Sequence, residues 1–375
     1  MKPLIDSQSL ATVLEPFVSA GSLAGAVLMV CSKDGILAHE TVGFADIAAG
    51  IPMSPDTFFW IASMTKPFTS TALMMLVEEG GVRLDDPVER YLPEFKGQMM
   101  IAEQDAEHVL LRPPAHPITV REVLAHTSGL PFQSPLESPT LDRLSLKVAV
   151  GSYAMENLRF EPGSKYEYSN EGTNTAGRII EVVANVPYDK FLNDRLLGPL
   201  GMDETVFVPR RDQLQRLAKS YKPDAANTGL EETPIKFLSY PLTDPGRQPI
   251  PGGGLFSTAT DLVQFCRMIL SGGELDGRHY VSTASIHEMT TKQTGPQIEK
   301  AYGLGWGIEG TAFGHGGAHG TQMFIDPESG LATIYLVQHD GFPGDGASSY
   351  ERFVQTAKAH YTCRALPGRP NTLTR

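Results

Sequence analysis

The chain has 375 residues, of which 41% are hydrophobic and 20% charged, a balance that excludes a disordered polypeptide. Its 31 Lys+Arg against 43 Asp+Glu leave a net charge of −12 with no basic run, which excludes binding along nucleic-acid phosphates. Cys31, Cys266 and Cys363 are too few and too widely spaced for a disulfide scaffold or a CxxC metal site.

Met1–Asp6 lacks the apolar run of a secretory leader, and nothing downstream reaches membrane-spanning length, so a cytoplasmic location with no membrane span is expected. Leu10, Val13, Leu14, Phe17 and Val18 recur at helical spacing and predict an amphipathic helix over 7–20. Ala24 to Cys31 is an apolar run of strand length, closed by Ser32-Lys33-Asp34-Gly35 and followed by a second strand to about Phe44: a β-hairpin. Phe68 to Val77 is apolar all round and stops near Gly80-Gly81, the pattern of a helix in the middle of the protein.

From about 82 to 240 proline-broken loops separate helical segments, clearest at 179–183 and 188–197. Beyond Pro251-Gly252-Gly253-Gly254 a helix is predicted over 259–270. Strands follow at 321–325 and 331–337 about the turn Asp326-Pro327-Glu328-Ser329-Gly330, then a closing helix over 346–361 and a polar, proline-bearing tail. The order implies an α/β (α+β) fold. An antiparallel sheet flanked by helices would be built from 1–81 and 241–375, with a mostly helical inserted domain over 82–240.

Ser63-Met64-Thr65-Lys66 stands where strand and loop give way to the apolar helix, and Ser63 is the only serine with lysine three residues on. On a helix that spacing puts hydroxyl and amine on one face, and Pro67 fits a first helical turn, where a missing N–H does little harm. A lysine drawn toward a buried helix start has its ammonium form disfavoured, as a base requires. Tyr168-Ser169-Asn170 follows a turn-rich lead-in and opens a helical run, and Gly314-His315-Gly316-Gly317-Ala318-His319-Gly320 precedes a strand.

With these three segments in this order the chain resembles the serine β-lactamase-like superfamily: class C β-lactamases, family VIII carboxylesterases, D-peptidases and D-aminopeptidases. Leu124-Ala125-His126-Thr127-Ser128-Gly129-Leu130-Pro131, Pro199-Leu200-Gly201-Met202, Gly253-Gly254-Leu255-Phe256-Ser257-Thr258 and Tyr302-Gly303-Leu304-Gly305-Trp306-Gly307 extend the resemblance over roughly 8–361. The resemblance implies a β-lactamase/DD-peptidase-like fold with the site between the two parts. It also implies Ser63 as acylated nucleophile, Lys66 and Tyr168 sharing the proton work, and an oxyanion hole from the N–H groups of Ser63 and Ala318. Asn170, His315 and Gly317 would bind substrate, with Gly316 and Gly317 letting the strand approach it. Gln133 and Trp306 are further candidates, against the plainer readings of a loop glutamine and a core tryptophan.

The expected activity is a serine hydrolase acting on small esters, a carboxylesterase with weak β-lactamase activity. The alternatives are a D-amino-acid-specific amidase or peptidase, because His315 stands where class C β-lactamases carry lysine, and a non-catalytic penicillin-binding or sensor protein. No cofactor and no metal are expected. Gly305 to Gly310 spells GxGxxG without a following helix to hold a pyrophosphate, and reads as a turn at a sheet edge. His287-Glu288 lacks a second histidine at 291, and His315 and His319 are separated by glycines.

Overall fold

Strand β1 (Gly25–Ser32) is buried along its whole length, which an apolar run achieves only when both of its faces are covered. It lies inside a seven-stranded antiparallel sheet with β2 (Gly35–Asp46), β3 (Ile51–Pro52), β4 (Gly307–Glu309), β5 (Ala312–Gly316), β6 (Gln322–Asp326) and β7 (Leu331–Leu336), in the order β4-β5-β6-β7-β1-β2-β3. The computed structural model describes residues 9–362; the polar tail expected from 363 onward, with Cys363, lies outside them. Val27 pairs with Leu336, so the two ends of the chain meet in the middle of the sheet. The Gly305–Gly310 segment lies at the sheet edge as expected, but as a strand, β4, where a turn was expected.

Side-chain alternation along β1 sorts the core. Val27, Met29 and Cys31 face the main apolar cluster, while Ala26, Leu28 and Val30 face a second cluster under the terminal helices. The main cluster contains the helices α1 (Thr65–Glu78), α2 (Val120–Ala125), α3 (Leu146–Tyr153), α4 (Asn170–Ala184) and α5 (Ala259–Leu270). One apolar cluster therefore runs unbroken from the sheet through α1 into the helical segment. The second cluster joins Leu10, Leu14 and Phe17 to Phe353 and Ala357 of α6 (Ser348–Tyr361). The opening helix is shorter than its apolar period predicts, Glu15–Ser19, because Pro16 cannot supply an N–H beyond a first turn. Cys31 and Cys266 are buried neighbours across the β1–α5 contact, and burial pushes the Cys266 thiol up.

Candidate active site

The α1 helix explains the site's first two residues. A two-residue strand, Phe59–Trp60, pairs with Phe256–Ser257, and the chain then turns sharply through Ala62, whose φ of +47° is left-handed and costly for a residue with a Cβ. That turn is clamped from the other strand. Ile61 N–H donates to Leu255 O (3.0 Å), Leu255 N–H donates to Thr65 Oγ1 (3.1 Å), and Thr65 Oγ1 donates to Ala62 O (2.6 Å). Ser63 consequently sits in a single 3₁₀ turn just ahead of α1, half-buried, with Lys66 and Pro67 in the helix's first turn beneath it.

Lys66 is fully buried. Its Nζ lies 2.7 Å from Asn170 Oδ1, 2.6 Å from Gly252 O and 3.4 Å from Ser63 Oγ. None of these partners is anionic, so burial alone holds the amine well below the usual lysine range. The Tyr168 ring, 4.5 Å from Nζ, favours the ammonium by about 0.5–2 kcal/mol, too little to offset complete desolvation. In the neutral amine the two N–H bonds go to Asn170 and Gly252, and the lone pair is left for Ser63.

Tyr168 and Asn170 owe their placement to the residue between them. Ser169 is the N-cap of α4, extended at φ −133° and ψ 120°, and its hydroxyl accepts from Gly172 N–H. Extended backbone puts the neighbours i−1 and i+1 on the same side, so the cap turns both Tyr168 and Asn170 toward Lys66. Burial pushes the Tyr168 hydroxyl far above its ordinary range; Ser63 is near enough to oppose that shift, yet no well-formed hydrogen bond satisfies the phenol oxygen.

The strand β5 closes the opposite side. A Cβ at Gly317 would lie 2.6 Å from Ile61 O and 2.2 Å from Thr321 Oγ1, so glycine lets this turn lie against the backbone that presents Ser63. At Gly316 the same atom would meet only the Gln322 amide. Among the described residues the N–H groups of Ser63 and Ala318 have no backbone acceptor, and Ala318 is exposed. His315 is 8% exposed, with Nε2 3.0 Å from the Tyr302 hydroxyl and Nδ1 2.6 Å from Gly316 O. Burial lowers it to about 3.

Two of the sequence candidates stand apart. Trp306 is a core side chain and not a pocket wall: it is fully buried, stacked on Phe265 (5.8 Å) and edge-on to Phe313 (5.4 Å). Gln133 is half-buried on the loop after Phe132, and its side chain makes no hydrogen bond among the described residues; Phe132 is the member of that loop that packs on Tyr168. Three residues with a part in the geometry were not singled out from the sequence. Gly252 supplies a carbonyl to Lys66, and His126 and Tyr302 lie beside Tyr168 and His315. Each falls within a segment that carries the resemblance or next to it, but nothing local marks it.

The family model described as Beta-lactamase matches residues 10–357. Esterase EstB of Burkholderia gladioli is 28% identical over 91% of this chain and 94% of its own. Penicillin-binding protein 4 of Amycolatopsis lactamdurans is 30% identical over 83% of this chain and 80% of its own. Among solved structures, EstCE1, a hydrolase with promiscuous acyltransferase activity, superposes with a TM-score of 0.79 at 22% identity over 93% of this chain and 97% of its own, a likeness of fold. The chain belongs to the Beta-lactamase family.

Proposed function

We propose that the chain is a serine hydrolase that forms an acyl-enzyme on Ser63 and acts as a carboxylesterase on short acyl esters. The observation that carries this reading is the buried, unpaired-by-charge Lys66 amine 3.4 Å from Ser63 Oγ. As Oγ attacks the ester carbonyl, its proton passes to Nζ and the carbonyl electrons move onto the oxygen, between the N–H groups of Ser63 and Ala318. One such donor is worth about 2.7–4 kcal/mol in the transition state. Collapse breaks the bond to the alcohol oxygen, which takes a proton through Lys66 or Tyr168. Water then attacks the acyl carbonyl by the same route and restores Ser63.

The state of His315 supports an ester over a substrate that carries a carboxylate beside the scissile bond. A neutral imidazole with both nitrogens occupied offers no cation to such a group. D-Peptides with a free C-terminal carboxylate and β-lactams are then poor substrates, with slow β-lactam turnover by the same serine. Initial rates on p-nitrophenyl butyrate for wild type and Ser63→Ala at neutral pH test the proposal. Activity is expected to vanish in the variant; activity that survives removes Ser63 from the chemistry. Stable penicillin acylation of Ser63 without turnover, read by mass, would favour a sensor instead.

A further inference from the structure

His126 ends α2 in the left-handed conformation (φ 58°, ψ 36°) and is 1% exposed. From there it grips the chain on both sides of Tyr168. Its carbonyl accepts from Glu167 N–H (2.9 Å) and its ring Nδ1 accepts from Ser169 N–H (3.2 Å). The ring itself lies 4.5 Å from the Tyr168 ring, centroid to centroid. On the far side, Nε2 is 3.2 Å from the Tyr302 hydroxyl, which is 3.0 Å from His315 Nε2.

The two ends of this chain of groups are backbone, and backbone has no choice of role. Ser169 N–H can only donate, so His126 Nδ1 carries a lone pair, and its single ring proton must be on Nε2. That proton is donated to the Tyr302 oxygen. Gly316 C=O can only accept, so His315 Nδ1 carries the proton there. His315 Nε2 is left to accept the Tyr302 O–H. A proton on both His315 nitrogens would aim two N–H donors at Tyr302 and leave the phenol proton without an acceptor.

We infer that His126 is the positioning residue for Tyr168, and that His126, Tyr302 and His315 form one hydrogen-bond chain with a single proton order running from Ser169 N–H to Gly316 C=O. Neither imidazole has a nitrogen free to take the Ser63 proton, so the two histidines nearest the site hold its tyrosine in place. The positioning role rests on the Ser63 reading above; the proton order does not.

The test is ¹⁵N spectroscopy of histidine-labelled full-length protein at neutral pH, which distinguishes Nδ1–H from Nε2–H rings. His126 is expected as the Nε2–H form and His315 as the Nδ1–H form, the reverse of what neutral histidine prefers in water. Tyr302→Phe removes one oxygen and assigns the pair, because only these two rings lose a partner at Nε2. Two rings of the same form, or a doubly protonated His315, would overturn the proton order. For the positioning role, His126→Asn keeps the left-handed backbone and an acceptor near the Nδ1 place, whereas His126→Gly keeps only the backbone. On p-nitrophenyl butyrate the Gly variant is expected to lose kcat relative to Asn by on the order of 10- to 100-fold, as misplacement of a reacting group does, with little change in KM. Equal kcat in the two variants would refute it. The spectrum reads the proton order whether or not an ester is hydrolysed, so failure of the esterase reading is distinguishable from failure of this one.

Discussion

Glu171 is the first residue of α4 after Asn170, is fully buried, and has no hydrogen-bond partner on either carboxyl oxygen. The helix N-terminus favours a carboxylate there by about 0.3–1 kcal/mol, up to ~2 when partly buried. Burial acts the other way and wins: with the carboxyls of Glu156 and Glu137 close by, it pushes Glu171 up to about 9 from an ordinary 4.5. A carboxyl raised on folding contributes its full stability below the unfolded value and loses it as pH rises toward the folded one, because the unfolded chain ionises first. Each pH unit between the two costs about 1.4 kcal/mol, so from pH 5 to pH 8 this one group should remove about 4 kcal/mol. Glu171→Gln abolishes the titration while keeping the shape. Urea unfolding followed by circular dichroism at pH 5, 6.5 and 8 should show wild type losing stability across the range and the variant losing about 4 kcal/mol less. The slope is read, because the amide's own unmet hydrogen bonds shift both ends alike. Parallel profiles would show that Glu171 is ionised in the folded protein and that the burial argument is wrong.

Asp142 and Arg247 form a buried ion pair (2.6 Å) between the segment ahead of α3 and the segment 236–252, and Arg247→Met alone should cost about 3–5 kcal/mol in urea unfolding, with Asp142→Leu added recovering most of it. Recovery that fails to appear would place the cost in the buried hydrogen bonds that Asp142 accepts from Ser239 and Arg247 donates to Leu242 O. Gly317→Ala should both destabilise the fold and slow ester hydrolysis, since its methyl would meet Ile61 O at 2.6 Å; unchanged thermal midpoint and rate would show that the turn relaxes freely. The rate on p-nitrophenyl butyrate should fall as pH drops through the depressed value of Lys66, since the protonated amine cannot accept the Ser63 proton, with His315 adding no limb between pH 5 and 8. A single histidine-like limb that His315→Gln removes would contradict this. Tyr168→Phe should lower turnover by orders of magnitude with circular dichroism unchanged, and wild-type turnover would remove the phenol from the proton path.

What was legible in the sequence was what short-range geometry fixes. Ser63 and Lys66 could be paired because helical spacing dictates their neighbourhood, whereas Tyr168 and Asn170 were legible through the resemblance, and the structure adds that the serine between them caps a helix. The sheet and its flanking helices followed from apolar periods that burial then enforced, as in β1 and α1. Trp306 was ambiguous because an aromatic bracketed by glycines looks the same in a pocket wall as in a core; only its contacts with Phe265 and Phe313 decide. Gly252 and the His126–Tyr302 link were illegible for a different reason. Their partners lie 186 and 176 residues away along the chain, and a hydrogen bond between remote segments leaves no local period or spacing. The helix predicted over 7–20 overran for a local reason that was in plain view, Pro16.

The pairing of β1 with β7 governs how this protein can be made. Residue 27 emerges early in synthesis and waits for residue 336 before its sheet edge is covered, a contact of high order that slows folding. Until then β1 is covered on one edge only, by β2, and a strand this apolar with a bare edge is an invitation to pair with another nascent chain. A message truncated anywhere before residue 331 would leave that edge bare for good, so fragments lacking β7 should be cleared or aggregate rather than persist as a smaller folded unit.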